Sequence, residues 1–142
     1  MAKSYEQAWP LWLRAQQRVM EDIEAALAQA GLPALNWYDV LWNLEQAPEQ
    51  RLRMAELADE LLLSRSNLTR LVDRLEKAGL ISRMPCDADR RGYYAVLTPA
   101  GQALRESVWP VYRDAIASHF MRHLSDADAA TLAELCRKLA DG

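Results

Sequence analysis

Within the eleven residues from Ser64 to Arg74, seven side chains can bond a base edge or a phosphate: Ser64, Arg65, Ser66, Asn67, Thr69, Arg70 and Arg74. Leu68, Leu71, Val72 and Leu75 recur among them at helical spacing, so one face of the segment is core and the other polar. Guanidinium and amide groups match the donors and acceptors that base pairs present in a DNA major groove. Their concentration in the first two turns is where a recognition helix meets the bases. Further on, Arg90 and Arg91 occupy a Pro/Asp/Gly-rich stretch between two extended runs. A guanidinium on such a tip is favoured in a narrow A·T-rich minor groove, where negative potential concentrates. Without a recognition helix beside them, the same two arginines would read as a solvated charge pair.

These side chains need elements to carry them. Ser64 is a good N-cap for a helix that should stop near Ala78, before Gly79 takes a left-handed conformation. Met54–Leu61 reads as a shorter helix, and only Leu62 and Leu63 separate it from the Ser64 cap, which makes a helix-turn-helix. Leu62 stands at a linker position where such turns often use Gly for its freedom at positive φ. Leu80–Met84 and Tyr93–Leu97 are β-prone runs around a polar turn, a hairpin that forms a wing beside the helix. Thr98 and Pro99 then supply an N-cap and a proline at the first helical position.

At these residues the chain resembles the MarR (multiple antibiotic resistance regulator) family of winged-helix repressors. The resemblance is carried by Arg51–Ala58, by Leu71–Leu80 and by Asp89-Arg90-Arg91-Gly92-Tyr93-Tyr94-Ala95-Val96-Leu97-Thr98, with Gly101 following. It implies that Arg91 enters the minor groove and that Asp89 orients the wing by an ion pair across its base.

The flanks are helical. From about Ser4 to Ala30, Leu11, Val19, Ile23, Ala26, Leu27 and Ala30 form an apolar stripe, with Pro10 near its start. A second helix is expected from Trp37 to Glu45, capped by Asn36. After the wing, a long helix should run from Pro99 to Arg122 with a kink or break at Trp109-Pro110. Ser125-Asp126-Ala127-Asp128 is a capping box that opens the last helix. Terminal helices this apolar need a partner surface, and the resemblance implies that they interlock into a homodimer. The expected fold is mostly α with a small β wing: a winged helix-turn-helix with N- and C-terminal dimerisation helices. One domain, 1–142, would hold a DNA-binding lobe at 36–98 and dimerisation helices at 4–30 and 99–140. A two-fold dimer implies a pseudo-palindromic double-stranded operator with half-site centres about 10 base pairs apart.

The net charge of −3 is unevenly distributed. From Ser64 to Tyr94, seven basic residues face four acidic ones, a local +3 that leaves −6 for the remainder. A local positive patch on an acidic body suits a specific DNA contact and limits nonspecific adhesion. No apolar run is long enough to span a membrane, and the amino terminus has no basic segment leading into an apolar one, so a cytoplasmic protein is expected.

Trp9 and Trp12 on the first helix, Trp37, Tyr38 and Trp42 on the second, and Tyr112 near Trp109 are candidate contacts for an aromatic or phenolic effector. Core and interface packing would use the same rings without a ligand. Ligand binding would favour a dimer with wrongly spaced recognition helices and so release a repressor from DNA. Cys86, near the wing turn, is expected to be exposed enough to oxidise, but neither it nor Cys136 has a resolving partner nearby. His119 and His123 stand one turn apart, with Asp114 or Cys136 as further candidate ligands, too few for a metal site to be assigned. No cofactor motif appears, and no nucleophile, base and acid share a recognisable spacing, which excludes an enzyme reading. The alternatives are a dimeric interaction protein of the same fold without specific DNA binding, or a metal-responsive regulator.

Overall fold

The computed structural model describes residues 2–61, 63–86 and 89–142, and the side chains of 3–61, 63–86 and 92–142. Leu62, at the centre of the helix-turn-helix linker, therefore lies outside the described residues, as do the side chains of Asp89, Arg90 and Arg91. The order is α1 (Ala2–Gln29), α2 (Leu35–Gln46), a 3-10 turn (Pro48–Gln50), β1 (Arg51–Arg53), α3 (Met54–Leu61), α4 (Arg65–Lys77), β2 (Ile81–Cys86), β3 (Asp89–Leu97), α5 (Pro99–His119), a second 3-10 turn (Met121–His123) and α6 (Asp126–Asp141). The chain divides into two compact units, Gly31–Pro110 and a unit made of α1 with Val111–Gly142.

In the first unit, α2, α3 and α4 close over a three-stranded antiparallel sheet ordered β1-β3-β2. Leu41, Leu44, Leu57, Leu68, Val72 and Leu75 are completely buried in its core. The apolar stripe of α4 is thus the face that packs, and the polar stripe is left outward. Ser64 caps α4 as its residue type requires, its Oγ accepting from the Asn67 amide at 3.2 Å. Gly79 ends the helix at φ +78°, the left-handed value that favours glycine.

Thr98 locks the wing to the next helix. Its Oγ1 donates to the Gly79 carbonyl at 2.7 Å and accepts from the Gly101 amide at 3.1 Å, which makes it the N-cap of α5. The first turn of α5 then lies directly on the end of the loop before β2. A Cβ on Gly101 would sit 2.1 Å from the Leu80 carbonyl oxygen, so only glycine fits.

Several expectations are corrected. Helix α2 starts at Leu35 with Ala34 at its cap, so Asn36 is inside the helix; burying Leu35 outweighs an Asn cap. Helix α1 begins at Ala2, which puts Pro10 well beyond the first turn. Helix α5 runs unbroken through Trp109 and Pro110 and ends at His119 rather than Arg122. Proline there withholds one backbone donor from a long ladder that the remaining bonds keep. The sheet also has a strand, β1, in a segment that carried no strand signal. Glu49 and Gln50, both at positive φ, turn the chain into it, and it pairs Arg51 with Val96 and Arg53 with Tyr94.

The wing is longer than its β-prone residues suggested, because β2 extends through Pro85 and Cys86 and β3 starts at Asp89. Pro85 is tolerated on β2 because that strand is an edge. The register shifts between Pro85 and Cys86, and the Cys86 side chain is buried rather than open to oxidation. In the other unit, the expected capping box at Ser125 and Asp128 is complete at the start of α6.

Candidate nucleic-acid interface

Ser64, Arg65, Ser66, Asn67, Thr69, Arg70 and Arg74 all lie on the exposed side of α4 and its cap. Local bonds prepare some of them. Thr69 donates its hydroxyl proton to the Arg65 carbonyl at 2.8 Å, and Ser64 Oγ lies 3.3 Å from Ser66 Oγ. The two acidic groups of the helix are both engaged by one residue of the wing. Arg83 on β2 pairs with Asp73, and its Nε lies 3.4 Å from Glu76 Oε1. Among the described residues, Arg65, Arg70 and Arg74 have no carboxylate partner. The exposed face of α4 therefore presents three guanidinium groups whose nearest helical anions are already neutralised.

The sheet adds arginines that are held on aromatic rings. Arg51 stacks over the Tyr94 ring at 4.3 Å and pairs with Glu49 at 2.7 Å. Arg53 lies 5.8 Å from the centre of the same ring. The Tyr94 side chain beside it holds Arg53 still more firmly in its charged form. Arg83 lies 4.7 Å over Tyr93. Arg53 also shares a hollow with Arg65 and Thr69 of α4. Sequence reading missed it as a functional residue, since the signal was only its place in the Arg-Leu-Arg run that became β1.

The six aromatic residues named as effector contacts are divided between the two compact units. Trp9 and Trp12 pack on each other at 5.8 Å in the unit of terminal helices, which also contains Tyr112. Trp37, Tyr38 and Trp42 belong to the other unit, where Trp37 packs on the core and Tyr38 stacks between Trp42 and Trp109 at 6.3 Å on each side. Arg105 completes this cluster with two bonds to Glu45, at 3.0 and 2.9 Å, while stacking on Trp42. Burial pushes the Tyr38 hydroxyl above the ordinary tyrosine range, against the opposing pull of Arg105.

His119 pairs with Asp22 at 3.6 Å, and with His123 and Cys136 it borders an apolar hollow lined by Trp12 and Phe120. Among the described residues, no three His, Cys, Asp or Glu side chains are grouped to hold a metal. Nor is any helix of those residues long and apolar enough to cross a membrane.

Two helices joined by a short linker, the second outward and basic, with a β-hairpin beside it, define a winged helix-turn-helix protein. The profile of the MarR family matches residues 30–92. The transcriptional repressor MprA of Escherichia coli is 30% identical over 129 residues, which span 91% of this chain and 72% of that protein. Among solved structures, Sco3205 of Streptomyces coelicolor, a MarR family transcriptional regulator in complex with DNA, superposes with a TM-score of 0.90 at 31% identity. It covers all of this chain and 89% of its own. BpsR of Bordetella bronchiseptica, whose DNA binding is regulated by 6-hydroxynicotinic acid, gives a TM-score of 0.84 at 26% identity, over 96% of this chain and 95% of its own. The chain belongs to the MarR family. It is accordingly a transcriptional regulator and not an enzyme.

Proposed function

We propose that this regulator is a homodimeric repressor that binds a pseudo-palindromic operator and leaves it when a small aromatic or phenolic molecule binds. The observation that carries the DNA contact is the row Arg65, Arg70 and Arg74, exposed on α4 while Arg83 occupies the acids of that helix. In this reading Ser66, Asn67, Thr69 and the three arginines meet the major groove, with Ser64 fixing the start of the helix. Arg91 enters the minor groove, aided by Arg90 and Asp89.

Dimerisation is supported by the apolar side chains that the terminal segments leave exposed, among them Trp9, Leu11, Met121, Leu135 and Leu139. A patch of this kind on a regulator calls for a partner surface. Residues 4–30 and 99–140 are the dimerising segments and 36–98 the DNA-binding lobe. Release by an aromatic ligand is supported by the regulation of BpsR by 6-hydroxynicotinic acid and by the aromatic side chains at Trp9, Trp12, Trp37, Tyr38, Trp42 and Tyr112.

The test is a titration of the protein against a duplex that it has selected from a random-sequence pool, repeated across salt concentrations. Specific binding should weaken steeply with salt as phosphates release counterions. Weak binding that ignores sequence and salt would overturn the reading. The effector arm is a thermal-shift screen of aromatic acids, in which a true ligand raises the melting temperature and lowers operator affinity.

A further inference from the structure

Between α4 and the wing is an open hollow of about 330 Å³, lined by Arg53 at the end of β1, Ala55 at the start of α3, Arg65 and Thr69 on α4, and Gly92 and Tyr93 on β3. Among the described residues, no carboxylate lines it. Glu56, the acid nearby in sequence, has its Oε1 engaged by the Arg53 backbone amide at 3.0 Å. Thr69 has given its proton to the Arg65 carbonyl, so among the described residues the charged donors available to an occupant are the guanidinium groups of Arg53 and Arg65. The hollow is therefore built for an anion.

Its position says which anion. A recognition helix lies in the major groove and a wing tip reaches into the adjacent minor groove, so the sugar-phosphate strand dividing those grooves must pass between helix and wing. Arg53 and Arg65 both line the hollow at that passage. Neither Arg53 nor its strand was among the residues expected to touch DNA.

We propose that the Arg53–Arg65 hollow seats one backbone phosphate of the strand that separates the two grooves. Arg53 is then a contact that sets the protein's register on the duplex without reading sequence. The proposal rests on the DNA-binding reading above and adds a site to it. Arg53 is held ready for this role by Tyr94, whose ring lies beneath its guanidinium.

The test compares the parent chain with Arg53→Gln on the selected duplex and on an unrelated duplex of equal length. Arg53→Gln should weaken both by about tenfold, the usual size of one charged hydrogen bond. It should also lower the slope of log affinity against log salt by about 1. Arg53→Lys should recover part of the loss. A neutral methylphosphonate is then walked along the operator. One position should cost the parent affinity but cost R53Q nothing further, because both changes remove the same contact.

Arg53 is exposed, so R53Q should melt as the parent does. If it does not, Arg53→Met, which keeps the stem over Tyr94, replaces it in the scan. Unchanged affinity for both duplexes, a loss tied to one base pair, or additive losses at every phosphate would overturn the seat while leaving DNA binding intact. A parent chain that selects and binds no duplex would overturn the DNA-binding reading, and the seat with it.

Discussion

Arg83 on the wing pairs with Asp73 on the recognition helix. The same guanidinium lies within 3.4 Å of Glu76, so one wing residue neutralises both acids of α4. Its side chain and those of its partners are one-third to one-half exposed, and pairs of that kind add little to stability. Their effect is on the field that DNA meets.

Arg83→Ala should therefore change unfolding free energy by less than about 1 kcal/mol, read by urea denaturation. DNA affinity should fall about fivefold to tenfold, because two carboxylates are released toward the phosphates. Adding Asp73→Asn and Glu76→Gln should restore most of it. Failure of the triple variant to recover would mean that Arg83 itself contacts DNA.

Asn67→Ala and Arg91→Ala divide the two grooves. An Asn67 base contact predicts a loss of about 1–3 kcal/mol concentrated at one base position, measured with single-base operator variants. Arg91→Ala should weaken binding without altering the dimer, followed by titration and sedimentation together. Normal binding by the Arg91 variant would refute the minor-groove assignment.

Gly101→Ala forces a methyl group onto the Leu80 carbonyl at 2.1 Å and onto Leu97 Cδ1 at 2.9 Å. The first obstacle is backbone that α5 and the wing both hold, so it cannot yield cheaply. A loss of about 2 kcal/mol is expected from urea denaturation, within the range for overpacked sites.

Arg105 and Glu45 are mostly buried, at 13% and 15% side-chain exposure. Arg105→Met alone should cost on the order of 3 kcal/mol, since it strands a carboxylate beside aromatic rings. Coupling it with Glu45→Leu should return most of that loss, which a double-mutant cycle measures.

Tyr38 should ionise above the ordinary tyrosine range in an alkaline absorbance titration that compares the parent with Tyr38→Phe, because burial raises its pKa. The sign for stability follows. The unfolded chain ionises at the ordinary tyrosine value near 10 while the folded chain does not, so stability is intact below that pH and falls as pH rises through the folded value. Tyr38→Phe should remove both the late step in absorbance and this part of the alkaline loss.

Much of the interface was legible along the chain because its signals are local. A cap at Ser64, a left-handed glycine at Gly79 and the apolar spacing of Leu68, Leu71, Val72 and Leu75 depend on neighbours within one or two helical turns. The capping box at Ser125 has the same character. Strand β1 was not legible, since three residues carry no periodicity and exist as a strand only by pairing with β3. Of the kink or break expected at Trp109-Pro110, the break is absent for a related reason: one missing donor weighs little against a long ladder of bonds on both sides.

By itself the sequence determined the helix-turn-helix, the wing, the family and the row of cations on α4, because each follows from residue type at short spacing. Only the tertiary structure decided which charges are already spent. Arg83 counted as one more positive residue until folding brought it to Asp73 and Glu76, ten and seven positions away. Cys86 is buried only in the folded wing, and Arg53 and Arg65 line one hollow only because β1 joins the sheet. Electrostatics acts through space, so the partner that cancels or reinforces a charge is set by the packing of distant segments rather than by its neighbours in the chain.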